Sequence, residues 1–221
     1  MTEPTHADGA TRTRDPLGPP PGPWSAPRRA LASVLGDLRA VDGALYAAVA
    51  ATSTPALDRA LRRLSHAADH SKISLGIAAA LALGGARARR AALAGVGALA
   101  VASASTNLLG KRLVHRARPD REAARVTVNR YVPMPESASF PSGHTAAAVA
   151  FATAVGVVLP EAAVPLGVLA CAVGYSRVHT GVHYPGDVAA GAVLGVASAA
   201  AALAGAASAP VPGRTTGSRR P

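Results

Sequence analysis

Apolar positions along this chain gather into runs. Stretches recur at about 31–52, 72–86, 91–110, 144–159, 162–176 and 187–209, with short polar or basic segments between them. Segments that are apolar all round predict helices buried in protein or in lipid. Six of them predict an all-α integral membrane bundle of about six transmembrane helices. The run at 31–52 is the least regular, because Asp37, Arg39 and Asp42 interrupt it. Those at 72–86, 144–159 and 162–176 fall short of the roughly 20 residues a bilayer core requires, so tilt or local thinning has to make up the difference. Alanine is abundant in every run and contributes little to partitioning, which leaves Val, Leu and Ile to drive insertion. Small residues also let helices approach closely. Gly191 with Gly195, and Ala91 with Gly95, have the small-xxx-small spacing.

Composition and charge narrow the class. Of 221 residues 49% are hydrophobic, which excludes disorder for most of the chain. Residues 1–29 are the exception, a Pro/Gly-rich stretch without the apolar core of a signal peptide, and they read as a disordered tail. Residues 210–221 read as a second, basic tail, leaving 30–209 as one membrane-embedded domain. The formal charge of +11 suits nucleic acid, but 3% aromatic residues offer little to stack on bases, and the basic residues flank apolar runs. Anionic headgroups or a phosphorylated lipid in the bilayer are the expected partners, and nucleic acid is not. Cys171 is the sole cysteine, so there is no internal disulfide and no Cys-based zinc site.

Three polar clusters carry candidate chemistry. Lys111 and Arg118, followed by Pro119, fall on one face if the helix from Asn107 continues, and together they make an anion clamp. Their alternative is a basic membrane-flanking loop, the reading given to Arg112, Arg116, Arg121, Arg125 and Arg130. The second cluster, Pro141-Ser142-Gly143-His144, stands at the start of a run. Ser142 suits a helix cap, Gly143 lets backbone approach a ligand, and the N–H groups of a helix start can point at a phosphate beside His144. An ordinary capped helix is the alternative. In the third cluster, Ser176 and Arg177 precede His183 and Asp187. Pro185 suits a first helical turn, so Asp187 faces back toward His183 as a carboxylate that orients a histidine. His179, four residues before His183, mimics a metal pair, but no further ligand spacing supports one, and no metal or other cofactor is expected. With six spans, all three clusters lie on one membrane face, although Lys111 and Asp187 are 76 positions apart.

In order and spacing these clusters resemble the three signatures of the type 2 phosphatidic acid phosphatases, lipid phosphate phosphatases related to vanadium haloperoxidases. The resemblance covers roughly residues 31–209 and implies the activity of a metal-independent lipid phosphatase. It implies His183 as nucleophile forming a phosphohistidine, Asp187 as its orienter, and His144 as the acid that protonates the leaving alkoxide and then activates water. Lys111, Arg118, Ser142, Gly143 and Arg177 would hold the phosphoryl oxygens. A phosphatidate, a phosphatidylglycerol phosphate or a polyprenyl phosphate or diphosphate would be the substrate. Transfer of the phosphoryl group to an acceptor alcohol is the enzymatic alternative. A basic membrane protein that binds anionic lipid is the non-enzymatic one.

Some residues stay outside these roles. Asn107, one turn before Lys111, reads as a polar residue joining two helices. His66, Asp69 and His70 fall on the active-site side of the membrane and read as ordinary loop residues. With a cytoplasmic N-terminus, Arg28, Arg29, Arg87, Arg89, Arg90, Arg214, Arg219 and Arg220 face inward, and the active site faces outward from the cell membrane.

Overall fold

A computed structural model describes residues 25–110 and 114–208. Most of the two expected tails, and Lys111 and Arg112, therefore lie outside the described residues. The chain divides into two compact units, residues 1–40 and 41–221. In the first, the described residues are helical and exposed.

Seven α-helices are described: α1 (Ser25–Ala51), α2 (Pro55–Ala67), α3 (Lys72–Ala82), α4 (Ala86–Ser105), α5 (Gly143–Val158), α6 (Pro160–His179) and α7 (Pro185–Ser208). A π-helical turn, Thr106–Gly110, extends α4, and single 3-10 turns lie at Asp69–Ser71 and Val128–Arg130. Among the described residues there is no strand. Helix α5 is the hub of the bundle, packing against α4, α6 and α7, while α4 also packs on α7 and α3.

The seam is built from small side chains. Ala98 and Ala102 of α4 meet Ala146, Ala150 and Ala154 of α5 and Ala199 of α7, all fully buried. The glycines of α7 set the distance of approach. A Cβ on Gly191 would stand 2.5 Å from the Ser142 carbonyl oxygen, and one on Gly195 would stand 2.7 Å from that of Ala146. The Gly191/Gly195 spacing is thus a helix contact. Gly95 faces the Phe151 ring in the same manner.

The outer surface is apolar. Leu83, Leu93, Val157, Val164, Val168, Val193 and Val196 are exposed, as a lipid-facing surface requires. Three described helices are long and apolar enough to cross a bilayer, Ala86–Leu108, Pro160–His179 and Pro185–Ser208; Gly143–Val158 is a shorter apolar helix. The chain is an all-helical membrane protein.

Two expectations fail in the connecting segments. Residues 55–67, read as loop, form the amphipathic helix α2, whose buried positions are the polar Asp58 and Ser65. A search for apolar runs misses a helix whose inward face is polar. Arg121 and Arg130, expected to flank the membrane, are instead buried in the protein at 8% and 1% exposure. Arg130 donates to Asp58 at 2.9 Å and to the carbonyl of Val49 at 3.1 Å, which fastens α2 to the end of α1.

Candidate active site

The described motif residues meet at one end of the bundle, on loops and helix ends held by backbone hydrogen bonds. Pro185 opens α7 and Asp187 lies in its first turn, with His183 just outside it. The carbonyl oxygen of Arg177, in the last turn of α6, accepts from the Val182 and His183 N–H groups at 3.1 and 3.2 Å. One motif residue thereby fixes the backbone of another.

His183 Nδ1 lies 3.5 Å from Asp187 Oδ2, and its Nε2 lies 3.3 Å from Arg118 Nη1. At 3.5 Å the imidazole faces the carboxylate without a formed hydrogen bond, since Nδ1 has no partner of good geometry. Asp187 is fully buried and well supplied with donors. Arg116 Nη1 donates to Oδ1 at 2.9 Å, the Tyr184 N–H donates to Oδ2 at 2.9 Å, and the Ser139 hydroxyl also donates to Oδ2. Such a carboxylate cannot rotate, so it aims the imidazole. Burial holds the His183 pKa below the ordinary histidine value. Asp187 opposes that shift, and Arg118 and Arg177 add to it.

Arg118 does not continue a helix. From residue 114 to Pro119 the chain is irregular, so Arg118 stands on a loop rather than on the expected helical face. The guanidinium donates to the carbonyls of Val182 at 2.7 Å and Ser137 at 3.0 Å, which presents it beside His183. Lys111 itself lies outside the described residues.

Ser142 caps α5. Its hydroxyl oxygen accepts from the Thr145 N–H at 3.5 Å, and its own N–H donates to the Asp187 carbonyl at 2.9 Å. Gly143 and His144 form the first turn and line a cavity of ≈ 460 Å³, whose wall also includes Asp69, Asn107, Met134 and Arg177. Arg177 is 2% exposed, donates to the Ser65 hydroxyl of α2, and keeps a buried Nε without a partner in the protein. This end of the bundle thus offers a helix N-terminus, two guanidinium groups and two histidines, the elements of a phosphate-handling site.

Five supporting residues were not singled out from the sequence. Asp42, taken as an interruption of the first run, accepts from Arg116 Nη2 at 2.6 Å and from the Gly186 N–H at 2.7 Å. A carboxylate within an apolar run is itself a signal of function. Arg116, Ser139, Ser65 and Asp58 carry no such signal. Asp69, read as ordinary loop, touches His144: its Oδ1 lies 2.9 Å from Nε2. Asn107 lines the cavity. His179, weighed as a metal ligand, is buried 3.0 Å from Asp58 in the network that also holds Arg130.

The second and third clusters, taken alone, could belong to unrelated capped helices, so the match of the whole segment is decisive. The sequence model of the PAP2 superfamily matches residues 91–208, from the second turn of α4 to the end of α7. The chain belongs to the PAP2 superfamily. Among PAP2 relatives, decaprenylphosphoryl-5-phosphoribose phosphatase of Mycobacterium tuberculosis is 42% identical over 64% of this chain and 76% of that protein. The Mycolicibacterium smegmatis protein of the same name is 39% identical over 69% of this chain and 82% of its own length. The fold matches the PAP2-type phosphatidylglycerolphosphate phosphatase of Bacillus subtilis with a TM-score of 0.62, at 22% identity over 77% of this chain and 87% of that one. LpxE of Aquifex aeolicus matches with a TM-score of 0.59, at 23% identity over 72% and 93% of the two chains.

Proposed function

We propose that this PAP2 chain hydrolyses a phosphate monoester or diphosphate on a membrane lipid through a phosphohistidine at His183, with protein cations in place of a metal ion. The observation that carries this reading is His183 itself, set between the Asp187 carboxylate at 3.5 Å and the Arg118 guanidinium at 3.3 Å. An orienting carboxylate on Nδ1 leaves Nε2 to attack phosphorus, and the guanidinium beside it draws the phosphoryl group to that nitrogen.

In the first step the Nε2–phosphorus bond forms as the phosphorus–oxygen ester bond breaks, and His144 gives a proton to the departing oxygen. In the second, His144 takes a proton from water as the water oxygen attacks phosphorus and His183 leaves. Arg118, Arg177, Ser142 and the Gly143 N–H hold the phosphoryl oxygens, joined by Lys111, and balance the charge of the transition state. Asp187 stabilises the His183 imidazolium-like phosphohistidine.

Among lipid phosphates, a polyprenyl-phosphoryl sugar phosphate is favoured, because the two mycobacterial relatives at 42% and 39% identity carry that activity in their names. Outward orientation of the site in the cell membrane is supported by Arg87, Arg89 and Arg90. They begin α4 at its other end, and Arg87 donates to the Val158 carbonyl at the end of α5.

Phosphate release by detergent-purified protein, in excess chelator, from a panel of lipid phosphates and prenyl diphosphates tests the proposal. Wild type should release phosphate and rank the panel, and His183→Ala should lose nearly all activity. Release that vanishes on chelation and returns only with magnesium, or a fully active His183→Ala, would overturn it.

A further inference from the structure

The family match begins at residue 91, yet the imidazole of His144 is held from outside that segment. Asp69 belongs to the single 3-10 turn between α2 and α3, and its Oδ1 lies 2.9 Å from His144 Nε2. We propose that Asp69 is a positioning residue for His144, fixing Nε2 and turning Nδ1 to the cleft, where the ring protonates the leaving oxygen. This inference rests on the phosphatase reading above.

The placement of charged groups around His144 is the first support. Arg177 approaches the same carboxylate from α6. Helix α5 carries no other ionisable side chain. Asp69 is the carboxylate in contact, and its Oδ1 also lies 3.9 Å from Arg177 Nη1. A carboxylate fixed between an imidazole and a guanidinium orients the ring and opposes the neighbouring cation's repulsion of its proton.

Backbone conformation is the second support. His70 and Ser71, directly after Asp69, have φ of 55° and 57°, so two consecutive non-glycine residues adopt the left-handed region. A conformation that these side chains disfavour persists where its surroundings impose it, and here it carries a carboxylate to a catalytic imidazole. The second carboxylate oxygen, Oδ2, lies 3.5 Å from His66 Nδ1 on α2.

With Nε2 committed to Asp69, Nδ1 serves the cleft. As the ester bond breaks, its electron pair goes to the lipid oxygen, which takes the Nδ1 proton. His144 is left neutral, with Nε2–H on Asp69. Attack of water on the phosphohistidine then returns a proton to Nδ1, and the imidazolium–carboxylate pair is restored.

The test compares two leaving groups in the full-length protein. A lipid phosphate expels an alkoxide that needs a proton, whereas p-nitrophenyl phosphate expels a phenolate that does not. Asp69→Asn should lower kcat on the lipid substrate by about 10- to 100-fold, with KM within about twofold, and change p-nitrophenyl phosphate turnover by less than about threefold. Asp69→Glu should recover much of the loss, and His144→Ala, which removes the acid of the first step and the base of the second, should lose activity on both substrates. Equal losses on both substrates, with or without a lower Tm, would assign Asp69 a structural role and overturn the proposal. So would an altered KM at unchanged kcat, or unaltered kinetics. A wild type that releases phosphate from neither substrate would refute the hydrolase reading itself, and this inference with it.

Discussion

As the proposed nucleophile His183 has to be neutral to attack phosphorus, and its surroundings favour that state. Burial together with two guanidinium groups lowers its pKa, against the pull of Asp187. The sign follows directly: the neutral form survives to lower pH than in a free histidine. The acid limb of kcat/KM against pH should therefore have its midpoint below about 6.5, and a limb at or above that value would contradict the assignment of the nucleophile. Which residues form the motifs was legible in the sequence, because their spacing is local to a turn or a helix start. Their partners were not. Arg116 looks like any basic residue flanking a span, and only the fold shows it bridging Asp42 and Asp187, at 2.6 and 2.9 Å. Ion pairs between residues 71 to 74 positions apart leave no periodicity to read. Asp69 leaves no such trace either, since its contact with His144 spans 75 positions.

At the level of elements, apolar runs located the helices that line the seam, and the small-residue spacing located their contact. Helix α2 escaped because it buries Asp58 and Ser65 against Arg130 and Arg177, a polar face that hydropathy scores as solvent-exposed. Arg118 also departs from the helical expectation, because the chain from residue 114 is irregular and presents it from a loop. The α5–α7 contact provides a direct test of how closely structure and chemistry are tied. Gly191 backs onto the Ser142 carbonyl, so Gly191→Leu should cost about 1–3 kcal/mol by overpacking and displace the cap of α5. Thermal unfolding in detergent should show a lower Tm, and kcat should fall with it. Gly205→Leu, in an exposed position of the same helix with nothing within 4 Å of its Cβ, should leave both unchanged.

For the whole molecule, orientation follows from which end of the bundle carries the site. Arg125 lies on the catalytic side and is exposed. A single cysteine there, in a Cys171→Ala background, should react in intact cells with an impermeant reagent applied outside; labelling only after lysis would reverse the proposed topology. The hydrogen bond from the Ser142 N–H to the Asp187 carbonyl joins the start of α5 to the first turn of α7, and Asp187 also holds Ser139 and Arg116. During synthesis these anchors exist only once the last helix has emerged from the ribosome and entered the bilayer. A nascent chain stalled after α6 would carry His144, Arg118 and Arg177 but neither the proposed nucleophile nor the group that aims it. On the proposed mechanism, catalytic competence therefore arrives in a single late event, and the half-inserted protein is chemically silent toward the lipids around it.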